Sequence, residues 1–292
     1  MLPLITGRTE VYCVLGHPVG HSVSPAMQNA ALKEMGRDGV YVAFNVAPAD
    51  LPRAVEGLRA LGVRGANCTI PHKEALVGLV DELSEEAELI GAVNTLVFRD
   101  GKVRGENTDG RGFLAALREA GVEPEGQRAV VLGAGGAARA VVVALAQCGA
   151  EVAISNRTES RASELAREVN TRLGGERVSV APGEAAALGP LVARANLLVN
   201  TTSVGMAPQV DAMPPVPAEA LHPGLFVYDL IYNPLQTLLL RTARSRGARG
   251  THGAGMLAHQ GALALEHWTG VRGPARLMEQ VILRTLGAEA TV

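Results

Sequence analysis

An apolar run, Val130-Val131-Leu132, stops at Gly133-Ala134-Gly135-Gly136 and gives way to the alanine-rich stretch Ala137-Ala138-Arg139-Ala140. A second apolar run follows and ends at Ile154-Ser155-Asn156-Arg157-Thr158. This is the order of a βαβ unit that holds a dinucleotide. Gly133 lets the chain turn sharply off the strand, Gly135 lets the backbone approach a pyrophosphate, and the small Ala138 lets helix and sheet pack closely. The helix N-terminus offers unpaired N–H groups and a positive dipole end to the phosphates.

The end of the second strand selects the dinucleotide. A unit preferring NAD places Asp or Glu there, which bonds the ribose 2′-hydroxyl and repels a 2′-phosphate. Here the place holds Asn156 and Arg157, with Arg161 one turn on. Two guanidiniums suit a phosphate, and Thr158 is expected to cap the next helix. The same residues could form a plain strand–helix turn with two solvated arginines. The flanking strands and the arginine pair favour NADP.

At 292 residues the chain can form one large domain or two ordinary ones. Its formal charge of −2 points to neither nucleic acid nor an anionic membrane surface. No apolar run reaches membrane-spanning length, and Arg8 and Glu10 precede the first strand-like run where a leader would be apolar. A soluble, cytoplasmic protein is expected. Cys13, Cys68 and Cys148 lie far apart in sequence without a CxxC, and read as reduced, small core residues. With no HExxH and no Cys/His cluster, no metal site is expected.

Short apolar runs and helical patterns alternate along the first hundred residues. Strands are predicted at Val11–Gly16, Val40–Val46, Gly65–Ile70 and Thr95–Phe98, and helices at Pro25–Met35, Leu51–Leu61, Lys73–Val80 and Ser84–Ile90. That order implies a mostly parallel sheet covered by helices. Arg99-Asp100-Gly101-Lys102 reads as a hairpin turn that introduces one antiparallel strand. A helix over Arg111–Ala120 leads to a second alternating region, with strands near 129–133, 152–156, 196–200 and 225–231. Residues 207–223, rich in Pro and Ala, read as a loop. Gly255–Thr269 reads as a helix that need not belong to the domain just before it. The whole is α/β: an N-terminal domain, a cofactor domain and C-terminal helices, with a cleft between domains as the place for a small substrate.

Basic residues give a separate clue. Of the 27, only Lys33, Lys73 and Lys102 are lysine. A chain that uses arginine nearly everywhere has kept a lysine in Thr69-Ile70-Pro71-His72-Lys73, just beyond a buried-looking strand. Arginine cannot release a proton near neutral pH, whereas lysine can when its surroundings adjust its pKa. Chance would also leave a lysine here, since Lys33 and Lys102 look like ordinary helix and turn residues. Asp109, in Glu106-Asn107-Thr108-Asp109-Gly110, could hold such an ammonium charged and oriented, or could simply cap the helix that follows. In His21-Ser22-Val23-Ser24-Pro25-Ala26-Met27, Ser24 before Pro25 reads as an N-cap and first-turn pair. Capping leaves Ser22 unexplained, and two hydroxyls at a helix N-terminus suit a carboxylate.

Taken in order, these segments resemble the shikimate dehydrogenase family. The resemblance rests on His-Ser-x-Ser-Pro-Ala-Met at 21–27, Asn-x-Thr-Ile-Pro-His-Lys at 67–73, Gly-Ala-Val-Asn-Thr at 91–95 and Asn-Thr-Asp-Gly at 107–110. The glycine loop, Asn-Arg-Thr at 156–158, Asn-Thr-Thr-Ser at 200–203, Tyr-Asn-Pro at 232–234 and Gly-Met-Leu-x-x-Gln at 255–260 follow in family order.

The resemblance implies reversible, NADPH-linked reduction of 3-dehydroshikimate to shikimate in aromatic amino-acid biosynthesis. Lys73 and Asp109 would be the catalytic pair. Ser22 and Ser24 would bind the substrate carboxylate with Tyr232 at that end, and Thr69, Asn94 and Gln260 would bond the ring hydroxyls. Gly133, Ala134, Gly135, Gly136, Ala137, Asn156, Arg157, Thr158, Arg161, Thr201 and Gly253 would form the NADP site. The family returns the C-terminal helices to the first domain, so the expected division is 1–108 with 254–292 for substrate and 109–253 as a Rossmann-type cofactor domain. A monomer or homodimer is expected, with no nucleic-acid or membrane partner. Related enzymes oxidise quinate, often with NAD; Arg157 with Arg161, and Ser22 with Thr69, favour the NADP and shikimate branch. A non-catalytic, NADP-binding regulatory protein is the reading of a different class.

Overall fold

The computed structural model describes residues 5–181 and 183–287. They form two compact units: one runs up to Gly112 and resumes at Leu257, and the other is Phe113–Met256.

The first unit begins β1 (Glu10–Gly16), α1 (Ser24–Glu34), β2 (Gly39–Asn45), α2 (Leu51–Ala60) and β3 (Gly65–Cys68). It continues with β4 (Glu82–Leu83), α3 (Glu85–Ile90), β5 (Thr95–Arg99), β6 (Lys102–Glu106) and the start of α4 (Asp109–Glu119). Its sheet has the order β2-β1-β3-β5-β6-β4. Only β5 runs antiparallel, as the Asp100-Gly101 hairpin leads one to expect; both residues take positive φ there, 52° and 74°. The carboxyl ends of β1, β3 and β6 and the amino end of β5 therefore share one edge of the sheet. Register makes this explicit: Leu15 faces Cys68, and Thr95 lies between Asn67 and Glu106.

Cys13, Leu15, Val55, Leu58, Leu76 and Leu96 are among the side chains of the core of this unit. Burial pushes the Cys13 thiol up to about 12, as expected of a cysteine used as a small apolar residue. Cys148 departs from that reading. It is only half-buried, at the end of a helix, with its Sγ 3.9 Å from Arg118 Nη2.

The sequence pattern over Lys73–Val80 predicts a helix, and the structure has only a short 3₁₀ turn, Ala75–Gly78. The reason is tertiary. The Lys73 carbonyl, which a helix would use internally, instead accepts the Val93 N–H at 2.8 Å.

The second unit contains β7 (Arg128–Leu132), α5 (Gly136–Gln147), β8 (Glu151–Ser155), α6 (Glu159–Leu173), β9 (Val178–Val180) and α7 (Ala185–Val192). Then come β10 (Leu197–Asn200), β11 (Phe226–Asp229), α8 (Leu238–Ser245) and β12 (Arg249–His252). All six strands are parallel, in the order β12-β11-β10-β7-β8-β9. Strands covered on both faces read as continuous apolar runs. β10 and β11 are buried along their whole length, and β7 everywhere but Arg128. The strand order reverses between β7 and β10, the place where doubly wound sheets bind ligands.

α9 (Ala254–Thr269) and α10 (Ala275–Thr285) close the described chain. α10 packs on α1, and Trp268 near the end of α9 donates from Nε1 to the Leu96 carbonyl at 3.0 Å. Its ring lies 5.2 Å from that of Tyr12. Among the described residues no helix is long and apolar enough to cross a membrane.

Candidate active site

In the first unit the polar residues of the motifs gather on the shared sheet edge. Beyond β3, the Thr69 N–H donates to the Leu15 carbonyl at 2.9 Å, and the chain turns so that His72 N–H reaches the Thr69 carbonyl at 2.9 Å. His72 is buried, with Nε2 at 2.9 Å from the Val46 carbonyl. A carbonyl can only accept, so this nitrogen carries the proton; burial holds the ring below its ordinary 6.5. The turn is thereby pinned, and Lys73 Nζ donates to Asp109 Oδ2 at 2.6 Å. The two side chains are 15% and 5% exposed.

Asp109 opens α4, yet it does not cap it. Its N–H donates to Asn107 Oδ1 at 2.9 Å, and Asn107 Nδ2 donates to the Ala92 carbonyl at 2.8 Å. Asn107 thus takes the turn-forming role and leaves the Asp109 oxygens for other partners. Oδ1 accepts from Asn94 Nδ2 at 2.9 Å, while Oδ2 takes Lys73. Asn94 Oδ1 in turn accepts the Thr108 N–H at 2.9 Å. Gln260 closes the group, with Oε1 at 3.4 Å from Asn94 Nδ2. A Cβ on Gly112 would come within 2.8 Å of the Gln260 backbone nitrogen, so the glycine permits this approach.

The serine motif differs from its sequence reading. α1 starts at Ser24 itself, Val23 precedes it, and no side chain caps the helix. Ser22 Oγ accepts the Ser24 N–H at 3.2 Å, so Ser22 is the serine that organises the turn. The structure thus joins Lys73, Asp109, Asn94 and Gln260 directly. Thr69 lies at the same sheet edge, and Ser22 and Ser24 follow β1 in the loop and helix beyond it.

In the second unit the glycine loop leaves β7 at Gly133, whose φ of 111° few other residues adopt. Its N–H donates to the Ser155 carbonyl at 2.8 Å, and a Cβ would lie 2.5 Å from Thr201 Oγ1. Thr201, just past β10, donates to the Leu132 carbonyl at 2.7 Å and so spans the reversal point. A Cβ on Gly135 would meet nothing within 4 Å, so the space over this backbone is open. α5 begins at Gly136 and Ala137 with no side-chain cap on its first N–H groups. Ala134 and Ala138 are buried beneath them. An open space in front of uncapped N–H groups fits a pyrophosphate.

Arg157 and Arg161 are exposed, and Arg157 has no carboxylate partner among the described residues. Asn156 Nδ2 donates to the Thr158 carbonyl at 2.8 Å. Thr158 stands at the N-cap position of α6, but its hydroxyl makes no capping bond, contrary to expectation. Its φ of −101° and ψ of 98° belong to the turn that Asn156 holds. Gly253 is buried; a Cβ there would lie 2.0 Å from the Leu230 carbonyl oxygen, which gives it a packing role. Tyr232 belongs to this unit, and burial raises its phenol above the ordinary 10.0.

Near it lies a carboxylate the sequence reading missed. Asp229, fully buried, accepts at Oδ1 from Asn200 Nδ2 (2.9 Å) and Ile231 N–H (3.1 Å). At Oδ2 it accepts from the Thr237 hydroxyl at 2.7 Å. Tyr41 carries no motif signal in the sequence. Asn67, Thr95, Asn107 and Thr108 fall inside the quoted motifs without a role assigned to them there. An Asn inside an otherwise apolar strand, as at Asn67, was the available signal.

Comparison with known proteins bears on the whole chain. Residues 14–96 match a model described as the shikimate dehydrogenase substrate binding domain. Residues 115–202 match shikimate / quinate 5-dehydrogenase, and 253–283 the shikimate 5′-dehydrogenase C-terminal domain. The chain is 49% identical over 288 residues to the shikimate dehydrogenase (NADP(+)) of Methanopyrus kandleri, covering 97% of this chain and 98% of that one. With the Moorella thermoacetica protein of the same name it shares 47% over 287 residues, covering 98% and 97%. The crystal structure of Thermus thermophilus shikimate 5-dehydrogenase in complex with NADP(H) and shikimate superposes with a TM-score of 0.86 at 41% identity, covering 95% of this chain and 100% of that one.

Proposed function

The chain belongs to the shikimate dehydrogenase family, and on that premise we propose that it catalyses the reversible, NADPH-dependent reduction of 3-dehydroshikimate to shikimate. The observation that carries this reading is the pairing of the partly buried Lys73 with the buried Asp109, 2.6 Å between Nζ and Oδ2 and held from the far side by Asn94. Reducing a ketone to an alcohol requires a hydride at carbon and a proton at oxygen. NADPH, when bound, supplies the hydride. Lys73 supplies the proton, because its ammonium is the donor of the pair and Asp109 accepts at both oxygens. Asp109 holds the ammonium charged and aimed, and in the reverse direction Lys73 takes the proton back.

The remaining motif residues divide the binding. Ser22 and Ser24 take the substrate carboxylate at the start of α1, with Tyr232 at that end. Thr69, Asn94 and Gln260 bond the ring hydroxyls. Residues 1–108 with 254–292 form the substrate side, to which Asp109 at the start of α4 adds its carboxylate, and the chain from there to 253 forms the cofactor side. There Gly133 to Ala137 cradle the pyrophosphate, with Thr201 and Gly253 shaping the site. Asn156, Arg157, Thr158 and Arg161 receive the 2′-phosphate. The protein acts in the cytoplasm, as a monomer or homodimer.

The test is an absorbance assay pairing NADP⁺ or NAD⁺ with shikimate or quinate. Turnover with NADP⁺ and shikimate well above the other three pairings is expected. Preference for NAD⁺ and quinate would select the quinate branch. Binding of NADP without turnover would mark a regulatory protein and overturn the reading.

A further inference from the structure

Behind the catalytic pair runs a line of buried hydrogen bonds whose direction two backbone groups determine. Asn94 Oδ1 accepts the Thr108 N–H at 2.9 Å, so its Nδ2 must be the atom that faces Asp109. Asn67 Nδ2 lies 3.4 Å from the Asn94 carbonyl, which can only accept, so its Oδ1 faces the Tyr41 hydroxyl at 2.8 Å. Thr95 Oγ1 then accepts from Asn67 Nδ2 at 3.1 Å and donates to Asn94 Oδ1 at 2.9 Å. Every donor points the same way, from Tyr41 through Asn67, Thr95 and Asn94 to the Asp109 carboxylate. Tyr41, Thr95, Asn94 and Asp109 are 1%, 0%, 2% and 3% exposed, so water does not replace a lost link.

Resting on the function proposed above, we infer that Tyr41 and Thr95 are positioning residues for the reaction. Through Asn94 they fix the Asp109 carboxylate and, with it, the Lys73 ammonium. Aligned donors polarise one another, so each hydroxyl strengthens the next bond toward the carboxylate. Loosening the line leaves Asp109 less firmly held and Lys73 Nζ less often on its Oδ2.

The chain's lysine usage makes this measurable without turnover, because Lys33 and Lys102 serve as internal references for acylation of Lys73. An acylating reagent attacks the neutral amine only. In Thr95→Val, Lys73 labelling relative to the other two is expected to rise about 3- to 10-fold, because an amine held on its carboxylate less of the time meets the reagent more often. kcat for shikimate is expected to fall about 10-fold, with KM for NADP⁺ unchanged. Thr95→Ser, which keeps the hydroxyl and loses a methyl, is expected to restore both readouts even though it packs less well. Tyr41→Phe provides a milder second variant, with a kcat loss of about 3-fold. In an Asn94→Ala background neither change is expected to lower kcat further. Wild-type labelling and kcat in both Thr95→Val and Tyr41→Phe would overturn the inference. So would Thr95→Ser behaving like Thr95→Val. A wild-type protein that fails to oxidise shikimate would refute the function instead, while the labelling ratio still decides the positioning role.

Discussion

Asp109, at the start of α4, and Asp229, at the end of β11, are both buried, one in each unit, and their partners differ. Asp109 follows β6 and faces an ammonium, with a neutral amide on its other oxygen. Asp229 ends β11 and receives an amide, a backbone N–H and a hydroxyl, with no cation partner among the described residues. Burial raises Asp229 above the ordinary 3.8 despite those three bonds. A buried carboxylate facing lysine holds a proton donor in place. One that faces neutral donors ties loops together, here the loop after β10 that carries Thr201 and the turn at Ile231 that leads to Tyr232. Burial alone therefore does not mark a reacting group; the charge of the partner does.

Substitutions at the two carboxylates should separate these roles. Asp109→Asn keeps the shape but leaves Lys73 without its counter-charge, and kcat should fall about 100-fold with folding retained. If kcat stayed within a few-fold of wild type, the contrast between the carboxylates would collapse. Arg157→Ala touches neither carboxylate and probes the other chemistry of the second unit. NADP should bind about 10- to 100-fold more weakly, the worth of a charged hydrogen bond, with NAD nearly unchanged. Equal losses for both dinucleotides would remove the 2′-phosphate role.

Asp229→Asn should be the mildest in activity, with kcat within a few-fold of wild type and a stability loss of about 1–2 kcal/mol at acid pH, where the wild-type carboxyl is protonated. Its pH dependence carries a sign. A carboxyl raised in the folded state binds its proton more tightly there, so wild-type stability declines as pH rises from 3.8 through the higher folded value. Asp229→Asn should lose that decline. Parallel melting-temperature profiles over this range for variant and wild type would contradict the assignment.

The two units were not equally legible in the sequence. The glycine loop and the strands beside it follow from local rules, since Gly133 needs a positive φ and a strand covered on both faces must be apolar throughout. The edge strands β9 and β12 were missed because Val178–Val180 is too short to show a pattern and Arg249–His252 is polar and partly exposed. In the first unit the motif residues were readable, but their local geometry was not. Val93 takes the carbonyl that a helix after Lys73 would use, and Asn107 takes the turn bond that Asp109 would otherwise make. Ser22, two residues before the helix, organises the turn where Ser24 was expected to. Each depends on a competing partner, and for Lys73 that partner lies 20 residues away in sequence. The Tyr41 to Asn94 line is legible only in three dimensions, because Tyr41, Asn67 and Thr95 come from β2, β3 and β5.

The central claim is that Lys73 moves the proton and that the cofactor site does not depend on it. Lys73→Ala tests this when NADPH affinity and steady-state turnover are measured on the same preparation. Turnover should drop by about 1,000-fold or more while NADPH binds as in wild type. A variant with near-normal kcat would contradict the account.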